Sequence, residues 1–256
     1  METKVINGDL IADDFVFNGN LEVSGKIIVD GSIKTGGYIK TGGYIKACDY
    51  IEAGDYIKAG DYIKTGDYIE AGGSIKADDY IEAGYYIEAG GSIKAGGSIK
   101  AIGFIEAGVC IKAGDYIEAC DYIKAGRYIE AGDYIKTGGY IKTGDYIKAG
   151  GSIKAVESIK AVWYIKTGWS IEAGWTIKAG GSIEADDYIE AGDYIEAGGS
   201  IKAGGFIKAV WFIEAGKDYL IFAGLKYKTA DTEKLGFIKS KEIKSTIGFG
   251  FKIINN

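Results

Sequence analysis

The chain is expected to be all-β: a single-stranded parallel β-helix, or solenoid, built from triangular 18-residue coils of three hexads each. Three observations predict it. Isoleucine occupies every sixth position from Ile33 to Ile213, which is (213 − 33)/6 + 1 = 31 repeats in one phase, and Leu21 and Ile27 extend the series to 33. The unit around it reads Ile, Lys or Glu, Ala or Thr, Gly, Asp or Gly, then Tyr or Ser. The chain also contains no proline, whose ring would delete a donor from a continuous ladder. A fixed short period over most of a chain marks stacked repeats rather than a globular core.

Each hexad converts into a strand and a corner. Side chains alternate along a strand, so Ile and the Ala or Thr two places on share one side while Lys or Glu takes the other. Tyr or Ser, just before Ile, joins the outward side. Glycine followed by Asp or Gly is expected to supply a corner with left-handed backbone angles. Three such hexads close a triangle filled by three Ile and three small residues; a flat 12-residue coil of two hexads is the alternative. At about 4.7–4.8 Å per stacked strand, the 33/3 = 11 regular coils plus end caps predict a rod of roughly 50 Å. Burying each Ile contributes about 1.5–3 kcal/mol, whereas like charges one coil apart oppose each other by about 1 kcal/mol in water. Ile burial wins.

The pattern divides the chain into an N-terminal capping coil (1–20), the hexad solenoid (21–216) and a C-terminal capping segment (217–256). Upstream, Leu10 and Ala12, Phe15 and Phe17, Leu21 and Val23, and Ile27 and Val29 are the expected inward pairs. After Ala215 the phase breaks, and Thr229 to Asn256 carries no hexad. The stretch from Ser74 to Gly108 recurs 108 residues later at Ser182 to Gly216, differing only opposite positions 76, 85, 98, 102 and 103. That is the mark of duplication.

Composition narrows the chemistry. The net charge of −6 arises from 30 basic and 36 acidic residues finely interleaved, which points to no bulk charged partner. Histidine is absent, removing the commonest general base and metal ligand near neutral pH and any Ser-His-Asp relay. No GxxxxGK[ST] loop is present. Neither an enzyme, a cofactor nor a metal is expected. Cys48, Cys110 and Cys120 form an odd set without CxxC spacing, so free thiols and a cytoplasmic setting are expected. Cys48 and Cys120 would lie four coils, about 19 Å, apart, too far for a disulfide. No apolar run approaches the ~18 residues of a membrane span, and METKVINGDL lacks a signal-peptide pattern.

Sorting outward positions by 18 yields candidate surfaces. Lys40, Lys58, Lys76, Lys94, Lys112, Lys148, Lys166 and Lys202 form one column, interrupted by Glu130 and Glu184. Such a stripe suits phosphate, but Asp61, Asp79, Asp115 and Asp133 at the adjacent corner dilute it, and nucleic acid is not the expected partner. Tyr50, Tyr68, Tyr86, Phe104, Tyr122 and Tyr140 form an aromatic column expected to stack. Asp78 and Asp79, with Asp61 one coil away, are read as turn-formers rather than a cation site. Trp163, Trp169 and Trp175 occupy three successive corners and Trp211 the corner two coils beyond Trp175, with Val156, Val162 and Val210 replacing glycine nearby. Large apolar groups at exposed corners mark contacts. These four tryptophans are the candidate interaction site.

The stretch LEVSGKIIVDGSIKTGG resembles the core of a bactofilin. The resemblance is closest over residues 8–45 and implies a right-handed parallel β-helix and a cytosolic, nucleotide-free scaffold that polymerises end to end. This chain departs from it in its many coils, rigid hexad, abundant outward Tyr and separate C-terminal segment. The hexapeptide acyltransferases share the period, but their small inward residue comes two before the aliphatic one and their activity needs a histidine. The expected role is therefore a non-enzymatic structural or assembly protein whose main partner is itself. The alternative is a macromolecule-binding module, a decoy or inhibitor, using a regular outer face or the Trp corners against a protein partner.

Overall fold

The computed structural model describes residues 1–223, 237–240, 242–243, 246–249 and 251–254. The chain divides into two compact units, Met1–Arg127 and Tyr128–Asn256. Each is a three-sided parallel β-solenoid, with no helix among the described residues. In the first unit, the strands Ile57–Ala59, Ile63–Thr65 and Ile69–Ala71 lie on three successive faces. Ile57 pairs with Ile75, Ile63 with Ile81 and Ile69 with Ile87, each 18 residues on. The second unit repeats the rule, with Ile147 opposite Ile165, Ile153 opposite Ile171 and Ile159 opposite Ile177. The triangle is thus the coil, and the flat 12-residue alternative is excluded. We call the faces carrying Ile57 or Ile147 the first, Ile63 or Ile153 the second, and Ile69 or Ile159 the third.

The hexad accounts for the layering. The isoleucines at the hexad position, from Ile33 to Ile213, are fully buried, and the Ala or Thr two residues on is buried beside them. The Lys or Glu between points outward. Where threonine replaces alanine its hydroxyl needs a partner, and the corner carbonyls supply it: Thr35 donates to Gly37 O at 3.0 Å, and Thr65 and Thr167 donate to Asp49 O and Gly151 O.

The corners correct one expectation. Among the described residues no non-glycine has positive φ, and of the described glycines only Gly8 does, at 113°. Glycine is favoured there because successive corners stack tightly: a Cβ on Gly54 would run into the carbonyl oxygen of Gly36 one coil away. Side chains such as Val156 are tolerated at equivalent corners, where they project into solvent.

At its start the first unit tightens. Thr3 opposes Asn20 and Leu10 opposes Ile27, 17 residues apart, before Phe15 and Ile33 establish the 18-residue step. Phe15 is buried, whereas Leu10, Ala12 and Phe17 are half-buried. Lys4 takes the register position of Leu21, its ammonium 5.3 Å from the Phe15 ring centroid and 6.0 Å from that of Phe17. A cation over aromatic faces thus occupies a position held elsewhere by an aliphatic side chain.

Beyond Ala215 the second unit keeps its faces while losing its period. Ile201 opposes Ile221, Ile207 opposes Ile238 and Ile213 opposes Ile243. The described parts of the expected capping segment 217–256 therefore extend the same parallel sheets through longer connections; residues 224–236 lie outside the described residues.

Inward and outward positions should differ sharply in energetic weight. Ile123 is fully buried and stacked on Ile105, whereas Lys124 is a part-exposed partner of Glu106 at 2.6 Å. Replacing Ile123 by Ala is expected to cost about 2–5 kcal/mol, and replacing Lys124 by Ala less than about 1 kcal/mol. Thermal melts followed by circular dichroism test this, and equal losses would refute the assignment of sides.

Candidate interaction surfaces

The first unit divides its charge by face. On the first face Lys40, Lys58, Lys76, Lys94 and Lys112 are successive register partners. On the third, Glu52, Glu70, Glu88 and Glu106 follow one another, bracketed by Lys34 and Lys124. The second face is mixed: Lys46, Lys64, Glu82, Lys100 and Glu118 in turn. The brackets are closed by ion pairs, Lys34 to Glu52 at 2.9 Å and Lys124 to Glu106 at 2.6 Å. Within the acidic column, burial first and the flanking Glu70 and Glu106 second raise the Glu88 carboxyl above its ordinary range. The lysine column was read from sequence; the glutamate column was missed, although the same sorting by 18 contains it.

In the second unit the first face alternates more. Glu130, Lys148, Lys166, Glu184 and Lys202 are successive partners. Burial opposes the Glu184 charge, yet the hydrogen bond and charge of Lys166, at 3.1 Å, and then Lys202 hold its carboxyl below the usual range. The predicted stripe is therefore basic in the first unit and partly neutralised in the second, where two glutamates stand among three lysines.

Aromatic columns stack as expected. On the third face Tyr50, Tyr68, Tyr86, Phe104 and Tyr122 have consecutive centroids 4.8–4.9 Å apart with nearly parallel rings. Tyr140 belongs to the second unit. Hydroxyls tie this column to the acidic one, Tyr86 donating to Glu70 at 3.3 Å and Tyr122 to Glu106 at 3.1 Å. Burial first, and then the Glu70 charge, push the Tyr86 phenol well above its ordinary range.

All four predicted tryptophans are exposed: Trp163 by 61%, Trp169 by 68%, Trp175 by 56% and Trp211 by 55%. They do not form one patch. Trp163 precedes a first-face strand, Trp169 a second-face strand, and Trp175 and Trp211 third-face strands, so three edges are used. Trp175 and Trp211 share an edge, with Asp193 between them through backbone bonds of 2.7 and 2.8 Å. Trp163 instead flanks a hollow of about 380 Å³ with Tyr164 and Ser182. Three consecutive hexads visit three different corners, which is why neighbours in sequence diverge in space.

The remaining candidates resolve simply. Asp78 and Asp79 both donate backbone N–H groups to Asp61 O, at 3.2 and 3.3 Å, and Asp78 pairs with Lys76 at 3.7 Å. Cys48 and Cys120 are exposed and Cys110 is buried, all as free thiols. No described helix is long and apolar enough to cross a membrane. Comparison with protein-family models, with curated proteins and with solved structures finds no match.

The crowded glutamate column makes Glu88→Gln informative. Because the folded carboxyl pKa is raised, the charged form is disfavoured by folding: the penalty is present above that pKa and relieved as pH falls through it. Glu88→Gln is expected to melt higher than the parent at neutral pH, with the gap closing near about pH 4. Differential scanning calorimetry at the two pH values checks it; a lower melting point at neutral pH would contradict the repulsion.

Proposed function

We propose that the protein is a non-enzymatic structural or assembly protein, bactofilin-like in kind, whose solenoid units associate laterally with further copies. One observation carries this reading: the first unit presents a lysine column on one face and a glutamate column on another, each advancing one residue per 18-residue coil. Two copies laid alongside each other, first face to third face, would meet charge for opposite charge at a common pitch. Lysines of a second copy would also offset the repulsion by Glu70 and Glu106 that, after burial, raises Glu88. Such a contact joins unlike surfaces, so it propagates into rings or open arrays. Repetition makes it sum: a single exposed pair contributes about 0–1 kcal/mol, but a column engages several at once. The exposed thiols of Cys48 and Cys120 suit a reducing compartment, and we place the protein in the cytoplasm.

A second reading rests on the tryptophans: a binding module that docks a protein partner along the edge of Trp175 and Trp211, since exposed aromatics make effective interface anchors. Light scattering and electron microscopy of the purified chain at about 20 mM and about 0.5 M salt separate the two. The assembly reading expects large species at low salt that disperse at high salt. It also expects loss of assembly when Lys58, Lys76 and Lys94 are all replaced by Glu. Discrete particles at low salt would overturn it in favour of the binding module.

A further inference from the structure

The aromatic column on the second face of the first unit is broken once. Tyr44, Tyr62 and Tyr80 stack at 4.6 and 4.8 Å with nearly parallel rings. The next two positions are Ser98 and Tyr116, so one ring is missing and the column then resumes. Ser98 is the one serine in the three outward columns with a tyrosine on both sides. Around it is an opening of about 230 Å³ lined by Asp79, Tyr80, Glu82, Lys100, Asp115 and Tyr116.

The size and shape of this opening follow from the ladder. Tyr80 and Tyr116 belong to coils two strand spacings apart, about 9.5 Å. A ring midway would lie about 4.8 Å from each, within the range of stacked aromatic pairs. The volume is below that of ordinary drug-sized pockets, about 300–1,000 Å³, so it suits a single ring. The second unit supplies an internal control. Across the 108-residue duplication Tyr80 corresponds to Tyr188 and Ser98 to Phe206. The Phe206 ring stacks on Tyr188 with centroids 4.8 Å apart and planes 6° from parallel. Where the copy carries a ring, the ring fills this place.

Charge selects the ligand. At Gly97, beside Ser98, a Cβ would lie 3.0 Å from Asp79 Oδ1 and 3.5 Å from Asp115 Oδ2, so two carboxylates flank the mouth. Lys100 stands between Glu82 and Glu118 in the register, and Glu82 pairs with Lys64 at 3.1 Å. Stacking on the electron-rich faces of tyrosine also favours a cation.

We propose that the gap at Ser98 is a binding slot for a single-ring aromatic cation, held between Tyr80 and Tyr116 with its charge toward Asp79 and Asp115. This stands independently of the assembly reading. The test is a ligand-observed NMR titration of the full chain with benzamidine, its neutral analogue benzamide and its anionic analogue benzoate. Saturable upfield shifts of the benzamidine ring protons are expected, with weaker binding of benzamide and none of benzoate. Ser98→Phe, whose side chain the second unit already accommodates, should remove the saturable component while leaving the circular dichroism unchanged. Asp79→Asn combined with Asp115→Asn leaves the slot open; it should weaken benzamidine about three- to tenfold, as loss of two exposed charge contacts implies, and leave benzamide unchanged. Equal benzamidine binding by the parent and Ser98→Phe would overturn the slot. Equal binding of benzoate and benzamidine, or no effect of the double Asn change, would overturn its preference for cations.

Discussion

Everything in this molecule depends on isoleucine meeting isoleucine across each 18-residue step. The contact fixes three things together. It sets the strand register, because a one-residue slip would turn every Ile to solvent. It sets the spacing of the outward columns, because a ring or charge attached to the ladder inherits its pitch. And it keeps the interior dry, with Ala and Thr filling what the branched side chains leave. The outward positions are free to vary only because this contact does not involve them.

That division explains why the surface is organised in columns. Tyrosines reach about 4.6–5.1 Å centroid separations without selecting one another, since the backbone delivers them there. Lysines and glutamates are held in columns too, whether their neighbours attract or repel. The fold thus tolerates a like-charged run such as Glu52 to Glu106, where an unconstrained surface would let the side chains diverge. What results is a set of faces whose character is decided by the choice at one hexad position.

The solenoid was legible from sequence because the hexad states it more than thirty times, whereas the triangle was only the favoured of two coils until the 18-residue pairing excluded the flat one. The corner was misread: glycine suggests positive φ, but the cause is the neighbouring coil's carbonyl, a contact invisible within one hexad. The corner and exposure of each Trp were legible, because sorting by 18 puts Trp163, Trp169 and Trp175 on three successive corners and Trp211 on that of Trp175, as in the structure; that three corners make no single patch was not drawn from it. The glutamate column and the gap at Ser98 were present in the same 18-residue sorting, but a missing ring leaves no residue to notice. The C-terminal strands were hidden by their irregular spacing, which only pairing across the sheet reveals.

The mismatch between a six-residue repeat and an 18-residue coil has an evolutionary consequence. Gain or loss of one hexad leaves every downstream isoleucine facing inward, so the interior does not register the change. Yet it turns all subsequent outward residues by one face, bringing lysines under glutamates and serines under tyrosines. Only changes by whole coils preserve both layers, and the 108-residue interval between the duplicated stretches is six coils of 18. Recombination can thus lengthen this protein freely for stability, while selection on its surface is felt in the phase of the join.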